Sequence, residues 1–263
     1  MTGALALRLA IFAAALGACA LAERARPRRK TTAPSGQRWL VNIELMLLGA
    51  LAVRLLSPLS ALEAAAHASS AGWGLLNALP LSPSVKTALS VLVLDMVVYW
   101  QHRAFHEIPM LWRLHAVHHT DLDLDAGSSV RFHPVELLVS MMIKIAAILA
   151  LGASVQGVLL FEIILSTAAL FHHSNIFLPA PVDGLLRLLT VTPDMHRVHH
   201  SPQPRETNSN YSFNLTCWDR LFGTYRDQPR EPHERMPLGL ADHREAASLN
   251  IGFLLTYPLR FKR

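Results

Sequence analysis

The chain has 263 residues, of which 51% are hydrophobic and 16% charged, with positive mean hydropathy. Soluble domains carry about 25% charge, so the composition excludes an ordinary soluble domain and points to a membrane protein. The net charge of +5 sits in short clusters beside apolar runs (Arg24–Lys30 and Arg260–Arg263), which suits a membrane surface and argues against a nucleic-acid partner. Two cysteines, Cys19 and Cys217, allow neither a disulfide framework nor a thiolate zinc site; both are expected to be inert.

In chain order, Ala4–Ala22 is an apolar run of 19 residues with one charge, Arg8. That length crosses a hydrocarbon core of about 30 Å. A cleaved signal peptide is the rival reading, since Ala18-Cys19-Ala20 resembles a small-residue cleavage site. The basic segment that follows at once, Glu23–Lys30, favours a retained span with a cytoplasmic loop behind it. Trp39–Ser57 is a second span, carrying Glu44 and Arg54. Pro58–Ser84 lacks Lys and Arg and is expected to be an outside loop. Lys86–Gln101 is the third span and delivers His102 to the cytoplasmic side.

Leu137–Phe171 would be about 52 Å long as one helix, too long for one crossing. Gly152 and Gly157 mark a turn, so a helical hairpin is expected to return to the side it left. Pro202 and Pro204 end the last histidine helix. After the polar and aromatic segment Ser201–Tyr225 and the charged His233–Ala247, Leu249–Leu259 is too short to span and suits the membrane interface. The expected fold is therefore all-α, a multi-pass membrane bundle of four to five apolar segments including a hairpin, with a cytoplasmic histidine-rich metal-binding cap. Residues 1–85 form N-terminal spans and loops, 86–226 the histidine-bearing domain, and 227–263 a tail.

Eleven of the 14 histidines fall between His102 and His200. HRAFH places His102 and His106 at i, i+4. WRLHAVHH places His115, His118 and His119 at i, i+3, i+4, and TPDMHRVHH repeats that spacing with His196, His199 and His200. These offsets share one helix face. With the His172-His173 pair between them, they read as the ligand set of a metal centre. Thr192 and Pro193 are expected to cap the helix that carries the last group. Asp95, Tyr99, His102 and His106 lie at i, i+4, i+7 and i+11 on one face. A carboxylate within a membrane helix is costly, so Asp95 is expected to orient a ligand imidazole; pairing with a basic residue of another helix is the alternative. Imidazole sites suit Zn, Cu, Fe or Ni, and a catalytic zinc takes about three protein ligands. About ten imidazoles suit two metals, and a pair of redox-active irons could activate dioxygen. His67, His233 and His243 have no partners by spacing and are expected to be solvated or packed.

HRAFH, WRLHAVHH and MHRVHH, in this order between hydrophobic spans, resemble the fatty acid hydroxylase / sterol desaturase superfamily of membrane di-iron oxygenases. Asp95-x-x-x-Tyr99-Trp100, Arg131-x-His133-Pro134, His173-Ser174-Asn175 and Trp218-Asp219-Arg220-Leu221-Phe222-Gly223-Thr224 support the likeness, which covers about Leu94 to Arg226. It implies the metal ligands His102, His106, His115, His118, His119, His196, His199 and His200, completed by His173 and His172. Asp95, Tyr99 and His133 would stand behind them, with His133 as an orienting or merely structural residue and ligation by it as the alternative. Ser212 replaces a glycine common in the family and affects a turn. The resemblance further implies two iron ions (zinc being able to replace them in purified protein) and O2-dependent hydroxylation or desaturation of a lipid, sterol or fatty acyl. It also implies electrons from a separate cytochrome b5-like or ferredoxin-like protein, and a bacterial inner membrane as the setting. Arg103, Arg113 and Arg197 would help dock that carrier or a lipid head group, or snorkel at the membrane edge. Two rival readings are a membrane zinc hydrolase, which wants a Glu base beside its ligands, and a non-catalytic metal-binding or transport protein, whose ligands belong near the bilayer midplane.

Overall fold

In hydrocarbon, a chain must satisfy its backbone polar groups internally, which favours helices for the long apolar runs. The computed structural model describes residues 2–32, 35–241 and 249–260, and its regular elements there are helical. Five helices are long and apolar enough to cross a membrane: α1 (Thr2–Ala25), α2 (Ser35–Leu56), α4 (Pro83–Glu107), α6 (Pro134–Leu151) and α7 (Val155–His173). The ends of α1, α4 and α7 meet the starts of α2 and α6, and a cap is built on that end. It contains α5 (Pro109–His119), a short 3-10 turn (Ala126–Val130), α8 (Ala180–Leu186), α9 (Pro193–His199), α10 (Pro204–Thr207), α11 (Cys217–Leu221) and α12 (Ile251–Arg260).

The spans lie near their expected positions, with three refinements. First, α4 runs unbroken to Glu107, past the expected end of the third span at Gln101, and carries HRAFH on its last turns, as the shared helix face of Asp95, Tyr99, His102 and His106 leads one to expect. Second, the segment expected to be an outside loop contains α3 (Ala61–Ala71). Ser60 and Glu63 form a capping box at its start. Ala61, Ala64, Ala65 and Ala68 bury a stripe in a core shared with α4, α6 and α7. Third, the hairpin turns at Gly152 alone, where φ is 70° and a side chain would be strained. Gly157 lies inside α7, where an added Cβ would stand 2.5 Å from Cβ of Ser90; its missing side chain lets α7 close on α4. At the tail, α12 packs Leu254 and Tyr257 into a core with Val41 and Leu45 of α2 and Ala116 and Val117 of α5.

The cap is fastened to the bundle by two buried guanidinium groups. Arg38 of α2 donates from Nε and Nη2 to the two carboxylate oxygens of Asp121 at 2.7 and 2.9 Å, and from Nη1 to Asp125 at 2.7 Å. Nη2 also reaches the Asp123 carbonyl at 2.8 Å. Burial alone would raise the Asp121 carboxyl, but the Arg38 charge overrides it and holds it down to about 2. Arg131 donates to Asn42 Oδ1, Thr120 Oγ1 and the Val117 carbonyl, tying the end of α5 to α2. Arg38→Ala leaves Asp121 and Asp125 buried without their counter-charge and is expected to cost about 3–5 kcal/mol. Arg38→Lys recovers only part, because an ammonium cannot make the two-pronged contact. Thermal unfolding in detergent measures both, and a loss below about 1 kcal/mol, the scale of an exposed pair, contradicts the assignment.

Candidate metal centre

The cap brings the histidine-bearing helix ends together at the mouth of the bundle. Thr192 caps α9, accepting from the Met195 amide, and Pro193 occupies its first turn, as the sequence leads one to expect. Two groups of imidazoles result. His102, His106, His115, His119 and His199 form one; His118, His173, His196 and His200 form the other. Within each group the candidate ligand atoms lie within 4.8 Å of one another, and every ring is buried.

The hydrogen bonds determine which nitrogen is available. His102 Nδ1 lies 2.8 Å from the Tyr211 carbonyl, His118 Nδ1 3.0 Å from Arg131 O, His173 Nδ1 2.8 Å from Ala169 O, and His199 Nδ1 2.7 Å from Ser209 O. His115 Nδ1 lies 2.6 Å from Glu136 Oε1. Carbonyls and carboxylates only accept, so each Nδ1 carries a proton, and in a neutral ring Nε2 then presents a lone pair. Yet Nε2 of His118 and Nε2 of His173 face each other at 3.0 Å. His196 Nε2 lies 3.1 Å from both His173 Nε2 and His200 Nε2. His196 and His200 have no acceptor at Nδ1, so their Nε2 atoms are free to donate across the 3.1 Å contacts. His118 and His173, however, set two lone pairs against each other, which repel unless a cation lies between them. A proton is a poor candidate: burial, and then the neighbouring imidazoles, hold His118, His119, His196 and His200 well below the usual imidazole range, and burial takes His199 down to about 3. An ion held between the His118 and His173 nitrogens would replace that repulsion with ligation. In the first group, Nε2 of His115, His119 and His199 are buried without a hydrogen-bond partner, a cost of about 1–3 kcal/mol each. The donor set fits a metal in each group.

Other residues singled out in the sequence fall differently. His172 lies outside both groups and stacks on His196, with ring centroids 4.3 Å apart. His133 caps α6 through Nδ1, while its Nε2 contacts the Leu255 carbonyl; it belongs to neither group. Asp95 is not bonded to an imidazole. It lies seven residues before His102, about 10 Å along the helix, and its oxygens accept from Asn214 Nδ2, the Leu215 amide and Trp218 Nε1 at 2.7, 3.2 and 2.9 Å. The basic partner considered for it is not there either. Tyr99 likewise bonds Thr224 and stacks on Phe222. The residue that does orient a ring, Glu136, went unnoticed in the sequence. A glutamate two residues after Pro134 at a helix start reads as an ordinary first-turn acid. Arg197 is fully buried against Asp194 and cannot dock a carrier. Arg103 and Glu107 pair with each other at the surface. His233 is buried beside Asp194, and burial lowers it to about 4; His67 is exposed and meets Trp73 edge-on. His243 lies outside the described residues.

A cavity of about 360 Å³ lies among α2, α4, α6 and α7 and ends on His102 and His115. Together, a spanning bundle, two imidazole groups at its mouth and an apolar chamber below them define a membrane protein built around a histidine-rich metal centre. The chain belongs to the fatty acid hydroxylase family, whose model matches residues 87–224, just over half of it. It is 33% identical over 145 residues to ornithine lipid hydroxylase OlsE of Rhizobium tropici, an overlap of 55% of this chain and 43% of that protein. It is 31% identical over 142 residues to alkylglycerol monooxygenase of Xenopus tropicalis, covering 52% and 30%. With the Delta(7)-sterol-C5(6)-desaturase of Nicotiana tabacum it shares 27% over 179 residues, 65% and 58%. The match thus spans less than half the length of the first two relatives. No solved structure matches the chain.

Glu136→Gln weakens the hold on His115 and is expected to lower metal affinity about tenfold to a hundredfold. Asp95→Asn is expected to leave metal per folded chain unchanged, since Asp95 touches no imidazole. Elemental analysis of the two purified variants separates them; equal losses contradict the geometry.

Proposed function

We propose that the protein is a membrane oxygenase that holds two iron ions, one in each imidazole group, and hydroxylates or desaturates a lipid C–H bond. The observation that carries this reading is the pair of buried imidazole groups, each with its candidate ligand atoms within 4.8 Å of one another, and the Nε2 lone pairs of His118 and His173 turned on each other at 3.0 Å. His102, His106, His115, His119 and His199 would hold one ion, and His118, His173, His196 and His200 the other, with His172 beside them. Bound there, iron supplies the activation of dioxygen needed to attack an unactivated C–H bond. The chain's own groups do the rest. Glu136 and four backbone carbonyls fix the tautomers of five of the nine rings. The apolar cavity orients a lipid chain with one carbon towards His102 and His115, and the buried cap keeps bulk water from that point. The printed names of the relatives, a lipid hydroxylase, a monooxygenase and a sterol desaturase, support the reaction class.

Electrons come, on this reading, from a separate redox protein. The imidazole end of the bundle also carries the basic segment Arg24–Lys30, which supports a cytoplasmic cap in a bacterial inner membrane under the positive-inside tendency. A transport role suits the site less well, because the groups lie at the mouth of the bundle and not at the middle of the spans. Lipid mass spectrometry of cells with and without the protein tests the proposal. A lipid gaining one oxygen or losing two hydrogens is expected with the wild type, only in the presence of oxygen, and is expected to vanish with His199→Ala. Activity that survives without oxygen refutes it.

A further inference from the structure

The cavity below the imidazoles is lined mainly by apolar side chains, among them Met46, Val53, Val98, Met141 and Leu165, but one wall is polar. Glu136, Ser140 and Lys144 stand at i, i+4 and i+8 of α6, one above another, and all three line the cavity. Glu136 is committed to His115, and Ser140 accepts from Gln101 Nε2 at 3.0 Å. Lys144 Nζ donates to Glu162 Oε1 of α7 at 3.1 Å. The other oxygen of Glu162 lies 2.8 Å from an Arg8 guanidinium nitrogen of α1, and Glu162 itself is 4% exposed. Two cations therefore converge on one carboxylate inside a spanning bundle. Ionisable groups are expensive there and mark functional sites. Glu162 accepts one hydrogen bond from Lys144, and an ammonium has three donors.

We infer that the cavity receives an amphiphile bearing an anionic oxygen group, carboxylate or phosphate, and that Lys144 binds this group and so selects the substrate. The inference rests on the proposed lipid oxidation and deepens it by naming what the substrate must carry. It also sets a ruler. Glu136 and Lys144 are eight residues apart, about 12 Å along α6. An anionic group held by Lys144 therefore places at His102 and His115 a carbon about 12 Å distant along the chain. Ser140 and Gln101 lie between, and accommodate a second polar atom on the way.

Binding without turnover tests this. The full chain in phosphatidylcholine nanodiscs, without reductant, is titrated with a fluorescent conjugated-polyene fatty acid and with its methyl ester. Wild type is expected to bind the acid at least about tenfold more tightly, the scale of one charge-assisted hydrogen bond. Equal affinities overturn the proposal. Lys144→Met is expected to bring the two affinities together while leaving the ester's unchanged; a preference that survives in that variant overturns it as well. Should Lys144→Met bind neither probe, the wild-type ratio decides. Displacement of the acid by an alkyl phosphate shows that the site takes either anion, and its failure restricts the site to carboxylates. Because no oxidation is read, an intact acid preference in a protein that oxidises no lipid would defeat the proposed function and leave only the binding of an anionic group by Lys144.

Discussion

The structure depends on one constraint: imidazoles buried neutral, with Nδ1 tied to a fixed acceptor, must turn their Nε2 lone pairs somewhere. Here the Nε2 atoms of His118 and His173 turn on each other, and those of His115 and His199 are buried without a partner. The acceptors are the carbonyls of Tyr211, Arg131, Ala169 and Ser209 and the carboxylate of Glu136. Those carbonyls orient the rings only if the segments carrying them are rigid, and much of the cap's polar chemistry serves that end. Arg131 clamps its own segment to α5 and α2. Asp219 accepts from the Tyr211 and Ser212 amides. Asn210, in the left-handed region with φ of 52°, donates to the carbonyls of Met195 and Arg226. A chain of this size is stable by about 5–15 kcal/mol, and the orphaned nitrogens of His115, His119 and His199 are a large debit against that margin. A bound cation relieves it, so occupancy of the site and stability of the cap are one quantity.

What could be read in the sequence followed from periodicity and from residue type. Spans announce themselves by apolar length, and three histidines at i, i+3, i+4 leave little else for a helix face to be. The hairpin was legible because 35 apolar residues cannot cross once. Failures came where contact depends on a partner distant in sequence. Asp95 does share a face with His102, but a face is a direction and not a distance, and its partners arrive more than a hundred residues later at Asn214 and Trp218. Glu136 is 21 residues beyond His115 and reaches it because Arg38 and Arg131 fold the intervening loop back. Backbone carbonyls, which set four of the tautomers, are invisible to any reading of side chains. The alanine face of α3 was visible in principle, at i, i+3, i+4, i+7, and was hidden by the expectation that a segment without Lys or Arg is only a connection.

The cavity and the imidazole groups also show how a bundle and a cap divide labour. The spanning helices supply apolar volume and deliver His102, His106, His172 and His173 on their last turns. The cap supplies the remaining rings on short helices whose positions are set by hydrogen bonds and ion pairs. Solvent-exposed apolar residues along α1 and α2, such as Leu9, Leu21, Leu47 and Leu55, mark the lipid-facing side of the same helices.

The distribution of neighbours along two short helices has a thermodynamic consequence. His118 and His119 are adjacent on α5 yet fall in different groups, and on α9 His199 faces one group while His196 and His200 face the other. Neither helix can settle for one centre without setting ring positions in the second. Were each group to hold an ion, ordering the rings of one would lower the ordering cost of the other. The adjacent histidines are a mechanical linkage between the two groups.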